Sequence, residues 1–240
     1  MKTSFHSGRA ARRFIGQLWF AGVVAAVGQA QVFTVNLSIP DNSLVGVTSE
    51  QVISGYTQAL ASVSVSLTLE TRDGEPMFNG DIYATLSHDS GYAVLLNRVG
   101  RRDGFSAGYG DSGFNITLSD GAAADVHDYR LTLNGSHATP LSLTDDPAAL
   151  TGTWQPDGRA VDPFAVGSSS TRLAMLGSFE GLDPNGLWTL YVADLSGGGL
   201  AELKEWGLML TVIPEPGETV AMSAVVLGLF GVWHRRRTRR

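Results

Sequence analysis

Cysteine is absent from the 240 residues. That excludes disulfides, thiol nucleophiles, cysteine metal sites and acylation of a lipoprotein-type cysteine. A secreted domain of this size buries an adequate core without cross-links, so the absence does not argue against export. Basic residues are scarce too, and they sit at the ends. Lys2, Arg9, Arg12 and Arg13 precede the body, and Arg235, Arg236, Arg237, Arg239 and Arg240 follow it. Residues 31–213 keep eight basic side chains against 21 acidic ones, a net charge near −13. Nucleic acid is thereby excluded as a partner, because phosphate contacts need a basic surface. The charge suits divalent cations or plain solubility. Histidine is rare: only His88, His127 and His137 lie in the body. None sits in a subtilase motif, and no G-x-S-x-G elbow occurs. Heptads, repeats and clear helical periodicity are also missing from the body.

What is present is alternation. Val63, Val65, Leu67 and Leu69 face one way from a strand with serines on its other side. Val32–Ile39, Asn79–Ser87, Tyr92–Leu96, Phe114–Leu118 and Tyr129–Leu133 carry further strands, and Arg72–Pro76 reads as a turn. The strongest pattern runs from Phe179 to Val212. Trp188, Leu190 and Val192 alternate with Thr189, Tyr191 and Ala193; after a Gly-rich break, Trp206, Leu208, Leu210 and Val212 resume the period. Loop-length preferences favour a hairpin of these two strands, the alternative being a crossing between sheets. Gly135–Ser170 shows no period and reads as loops wrapping the ends of a sandwich, with short pairings that the pattern does not locate. Seven or eight short strands with turns between them imply two packed antiparallel sheets.

Both ends carry processing patterns. Arg9, Arg12 and Arg13, the apolar run Phe14–Val27 and the small residues of Gly28-Gln29-Ala30 predict a signal peptide over 1–30, cleaved after Ala30. An amphipathic N-terminal helix is the alternative. At the other end Pro214-Glu215-Pro216 is followed by the apolar run Val220–Trp233 and then Arg235–Arg240. As a helix that run reaches only about 21 Å, short of a ~30 Å hydrocarbon core. Trp233 and the arginines suit the cytoplasmic interface. The segment is a temporary stop or a permanent anchor.

Two family resemblances rest on these residues. Phe179, Gly181, Pro184, Gly186, Trp188, Leu190, Val192 and Asp194, then Leu203, Trp206 and Leu208, resemble the end of the P domain (P/Homo B), the β-sandwich that follows the catalytic domain of proprotein convertases. Gly80-Asp81-Ile82 resembles the family's G-D-L signature, Trp154 in G-T-W-Q-P its G-x-W-x-P segment, and Ile39-Pro40-Asp41 the opening of secreted bacterial members. The resemblance implies an all-β, two-sheet antiparallel jelly-roll sandwich over 31–213, with Gly80, Asp81, Trp154, Trp188, Asp194 and Trp206 as its fold signature. It does not transfer peptidase activity, because no protease motif is present. The tail, 214–240, resembles a PEP-CTERM sorting signal. That implies processing by exosortase in a Gram-negative bacterium, with Pro214, Glu215, Pro216, Arg235, Arg236 and Arg237 as the recognised residues and a transient insertion in the inner membrane.

Candidate chemistry is thin. His127, between Asp125 and Asp128, reads as a surface-loop histidine, not an acid/base cluster. Asp81 and Asp120 are the expected ligands if calcium binds, since hard cations take carboxylates from loops; ordinary solvated acids are the alternative. Asn36, Asn115 and Asn134 match the glycosylation sequon. No catalytic residue is assigned. The expected function is an exported, non-enzymatic sandwich at the cell surface or in the extracellular polysaccharide matrix, structural or adhesive. The alternatives are a carbohydrate- or protein-binding module and an accessory domain of a serine peptidase system.

Overall fold

One-sided strands have to find a second apolar layer, and here they make two sheets around a single core. The computed structural model describes residues 28–141 and 149–214. In chain order the elements are β1 (Gly28–Ile39), β2 (Val47–Ile53), β3 (Leu60–Thr71), β4 (Ile82–His88), β5 (Gly91–Asn97), β6 (Phe114–Ser119), α1 (Tyr129–Asn134), β7 (Leu150–Trp154), β8 (Gly186–Asp194) and β9 (Ala201–Val212). Three single 3-10 turns occupy Asn79–Asp81, Val126–Asp128 and Leu176–Phe179. One sheet has the order β1-β9-β3-β6-β7, the other β2-β8-β4-β5. Pairing is antiparallel except between β6 and β7, which run parallel. The all-β two-sheet sandwich is therefore present, with one parallel pair where only antiparallel ones were expected.

The predicted hairpin is not. β8 lies between β2 and β4, and β9 between β1 and β3, in opposite sheets. Both strands already have two neighbours, so the Gly-rich break carries the chain across the sandwich. Alternation could not separate these cases, because it shows only that one face of each strand is buried. Trp188, Leu190 and Val192 reach the core from one sheet, and Trp206, Leu208 and Leu210 from the other. Trp206 ties the layers together: its Nε1–H donates to Ser49 Oγ on β2 at 2.9 Å. A register shift at Thr68/Leu69 against Glu205/Leu203 lets Leu203 and Trp206 both face inward despite their odd spacing.

One smaller expectation fails locally. Tyr129–Leu133 is helix, not strand. Asp125 Oδ1 accepts the His127 N–H ahead of it, and Gly135 closes it at φ 67° with its N–H on the Leu131 carbonyl. Leu131 and Leu133, whose spacing imitated a strand, are exposed. The short pairing expected somewhere within 135–170 is β7, Leu150–Trp154, along β6. β2, too polar to show a period, went unseen, yet it covers the edge of β8. Gly28–Ala30, the stretch read as the peptidase recognition site, belongs to β1 and pairs with Thr211–Met209. The leader over 1–27 and the tail from Glu215 onward, Arg235, Arg236 and Arg237 included, lie outside the described residues.

Candidate functional site

Three motif aspartates converge at one end of the sandwich. Asp81 closes the 3-10 turn that leads into β4, and Asp194 ends β8, where it pairs with Ile82. The backbone knits them: the Leu195 N–H donates to the Asp81 carbonyl at 2.9 Å, and the Ser43 N–H to the Asp194 carbonyl at 2.8 Å. Asp41 reaches the same place from the Ile39-Pro40-Asp41 opening, and its charge is felt by both. One guanidinium answers them. Arg98 donates through Nη2 to Asp81 Oδ1 at 3.2 Å and through Nε to the Gly80 carbonyl at 3.0 Å. Gly80 is required by close approach, since a Cβ there would stand 2.4 Å from the Ala107 carbonyl oxygen.

Burial sets the titration of this group. Asp194, 2% exposed, is pushed up to about 6, first by desolvation and then by the Asp81 and Asp41 charges, against the help of the Ser196 N–H and Arg98. Asp81 is raised by the same desolvation, with Arg98 pulling the other way. Arg98 is buried just past the end of β5, in the Asn97-Arg98-Val99-Gly100 turn, where no sequence spacing points to it.

Asp120 belongs elsewhere. Asn79 holds both the N–H and the carbonyl of Gly113, which places the Asp81 turn beside the start of β6. Asp120 follows the other end of that strand, about 20 Å away at strand rise. There its two oxygens accept the Leu176 N–H at 3.1 Å and the Gly177 N–H at 2.7 Å, anchoring a 3-10 turn. Asp81 and Asp120 thus share no site, and calcium does not fit them as a pair. Among the described residues no cluster of His, Asp and Glu is arranged to hold a metal.

His127 is fully buried, which corrects its reading as a surface residue. Its Nδ1 lies 2.7 Å from Asp157 Oδ2 and its Nε2 2.9 Å from the Arg101 carbonyl oxygen. Both partners only accept, so both ring nitrogens must carry protons. Desolvation alone would lower this imidazole, but the hydrogen bond and charge of Asp157 and the Arg101 carbonyl leave it raised. Asp157 also pairs with Arg159, which reaches Asp125 at 2.8 Å. The network clamps the 155–172 segment onto β5, whose edge receives the Asp157 and Gly158 N–H groups. Asp125 and Asp128 flanking a histidine were visible in sequence; Asp157, thirty residues on, was not.

The remaining signature residues are structural. Trp188 Nε1–H donates to the Pro184 carbonyl at 3.0 Å, and its ring stacks on His88 at 4.1 Å between centroids. His88 in turn contacts the Leu187 and Asp183 carbonyls. Trp154 bonds the Thr151 carbonyl and meets Tyr129 edge-on. His137 Nδ1 is 2.6 Å from the Tyr109 hydroxyl. Among the described residues no serine hydroxyl is hydrogen-bonded to any of these histidines. Asn36, Asn115 and Asn134 are all exposed. No described helix is long and apolar enough to cross a membrane.

No family model matches the chain, and no curated protein matches it. Among solved structures it is similar to the serine protease of Aeromonas sobria, at 14% identity and a TM-score of 0.43, and to that protease in complex with its chaperone, at 14% and 0.42. In both cases 80% of this chain is covered, and it spans 28% of the length of the other. Likeness at this level bears on neither mechanism nor activity.

Proposed function

We propose that the chain is an exported, non-enzymatic β-sandwich of the P/Homo B kind, with jelly-roll connectivity, sorted by exosortase to the cell surface or extracellular polysaccharide matrix of a Gram-negative bacterium. Its role there is structural or adhesive. The observation that carries the reading is the order of the tail: Pro214-Glu215-Pro216, the apolar run, then Arg235, Arg236 and Arg237. The box begins two residues after β9 ends at Val212, and Ile213 is 50% exposed. A membrane protease therefore reaches Pro214 without unfolding the sandwich, and proline disfavours helix and sheet alike. The convergence of Asp41, Gly80-Asp81 and Asp194 gives the motif residues one shared structural task, holding loops at one end of the sandwich.

Mass spectrometry of the native extracellular protein tests this. The expected C-terminus lies near Pro216, without the arginines, and deleting Arg235–Arg240 leaves unprocessed precursor. A peptide still ending at Arg240 would make the tail a permanent anchor and sink the sorting reading.

A further inference from the structure

The outward face of the β2-β8-β4-β5 sheet carries three tyrosines. Ile82, Ala84 and Leu86 of β4 and Trp188, Leu190 and Val192 of β8 line the core, so alternation turns Tyr83 and Tyr191 outward. Tyr92 of β5, 41% exposed, stands on the same side. The three tyrosines make one group. The Tyr83 and Tyr92 hydroxyls lie 3.1 Å apart. Val94, two residues on from Tyr92 on the same side of β5, is fully buried yet outside the main core cluster. Tyr191 meets Tyr83 edge-on, ring centroids 6.3 Å apart, and its hydroxyl donates to the Leu44 carbonyl. Neither contact stacks one ring on another; Tyr92 is exposed, and Tyr83 and Tyr191 are half-buried, with Gly46 packed against the Tyr191 ring.

The surroundings narrow the ligand. Ser87 and Thr189 lie outward in the row of Tyr92, Thr85 is buried beside Tyr191, and Thr48 flanks Tyr191 on β2. Glu50 is the one charged side chain at the outward positions of these four strands, in a body that carries 21 acids and eight bases. An anionic polymer is repelled by that body and finds no cation on this face. A neutral sugar chain meets neither obstacle. Pyranose C–H faces pack on tyrosine rings, and sugar hydroxyls exchange hydrogen bonds with tyrosine, threonine and serine hydroxyls.

We propose that Tyr92 and Tyr191, positioned by Tyr83, form a binding face for a neutral polysaccharide. The proposal deepens the adhesive reading above by naming the matrix component that is held, and it rests on that reading for its setting alone. Affinity electrophoresis of the full chain in gels containing hydroxyethylcellulose, galactomannan or polygalacturonate tests it. Retardation is expected in at least one neutral gel and in none containing polygalacturonate. Tyr92→Ala and Tyr191→Ala should each weaken binding about tenfold with unchanged circular dichroism, while the phenylalanine variants keep most of it. Thr189→Lys, outward in the row of Glu50, Ser87 and Tyr92, should block the face should an alanine variant fail to fold. No retardation in either neutral gel, preference for polygalacturonate, or wild-type binding by well-folded variants overturns the proposal. Lost glycan binding in protein with a processed C-terminus leaves the sorting reading standing; the reverse result separates them the other way.

Discussion

Replacing Asp194 by asparagine should stabilise the protein at alkaline pH and do nothing at acid pH. The carboxyl titrates near 6 in the folded state against an ordinary 3.8, a difference corresponding to roughly 3 kcal/mol. Because the folded value is raised, the favourable contribution is complete below 3.8 and is lost as pH rises through about 6. Above that, an ionised group sits buried beside Asp81, with Arg98 shared between them. Asparagine removes the charge and keeps an oxygen for the Ser196 N–H, now 3.2 Å from Asp194 Oδ1. The variant should therefore gain up to about 3 kcal/mol at pH 8, or roughly 6–12 °C in melting temperature for a body of this size. At pH 3.5 it should match wild type. Urea unfolding followed by tryptophan fluorescence at pH 3.5, 6 and 8 reads this directly, since Trp188 and Trp206 are fully buried. Asp81→Asn is the companion arm: this carboxyl is raised as well, desolvation outweighing the pull of Arg98, so the variant should also gain at pH 8 and match wild type at pH 3.5. A gain of equal size at every pH, or a loss at pH 8 in the Asp194 variant, would refute the argument that desolvation dominates this corner.

Trp206→Phe should cost about 1 kcal/mol for the Ser49 bond between sheets, and Trp206→Ala about 3–5 kcal/mol, both by urea midpoint. His127 has a raised folded value, so its contribution is whole below about 6.5 and fades as pH climbs through that raised value; His127→Asn should flatten the stability profile above pH 6.5, and an unchanged alkaline slope would remove the imidazolium from the account. Asp120→Asn should cost about 1–2 kcal/mol by weakening the anchor on Leu176 and Gly177. Calcium and chelator should leave the melting temperature of that variant and of wild type alike unmoved, which differential scanning calorimetry checks.

Some of this architecture needed nothing beyond local chemistry. Val63, Val65, Leu67 and Leu69 sit inward on β3 as their period requires, and the Arg72–Pro76 turn carries Asp73 and Gly74 at positive φ. Trp188 and Trp206 are central because few environments other than a core accommodate a large ring flanked by alternating aliphatics. Partners are a different matter. Burial of one face says nothing about which strand lies alongside, so the placing of β8 and β9 in opposite sheets was decided by their pairing with β2 and β4 and with β1 and β3. Leu131 and Leu133 imitate a strand until the Asp125 bond and the αL glycine at 135 make the helix the better-satisfied choice. The candidate site divides along the same line. Asp41, Asp81 and Asp194 could each be picked out by motif, but their meeting around Arg98, the separation of Asp120 and the burial of His127 on Asp157 depend on contacts between residues 17 to 153 positions apart. Electrostatic interactions are set by distance and desolvation in space, and neither is written along the chain.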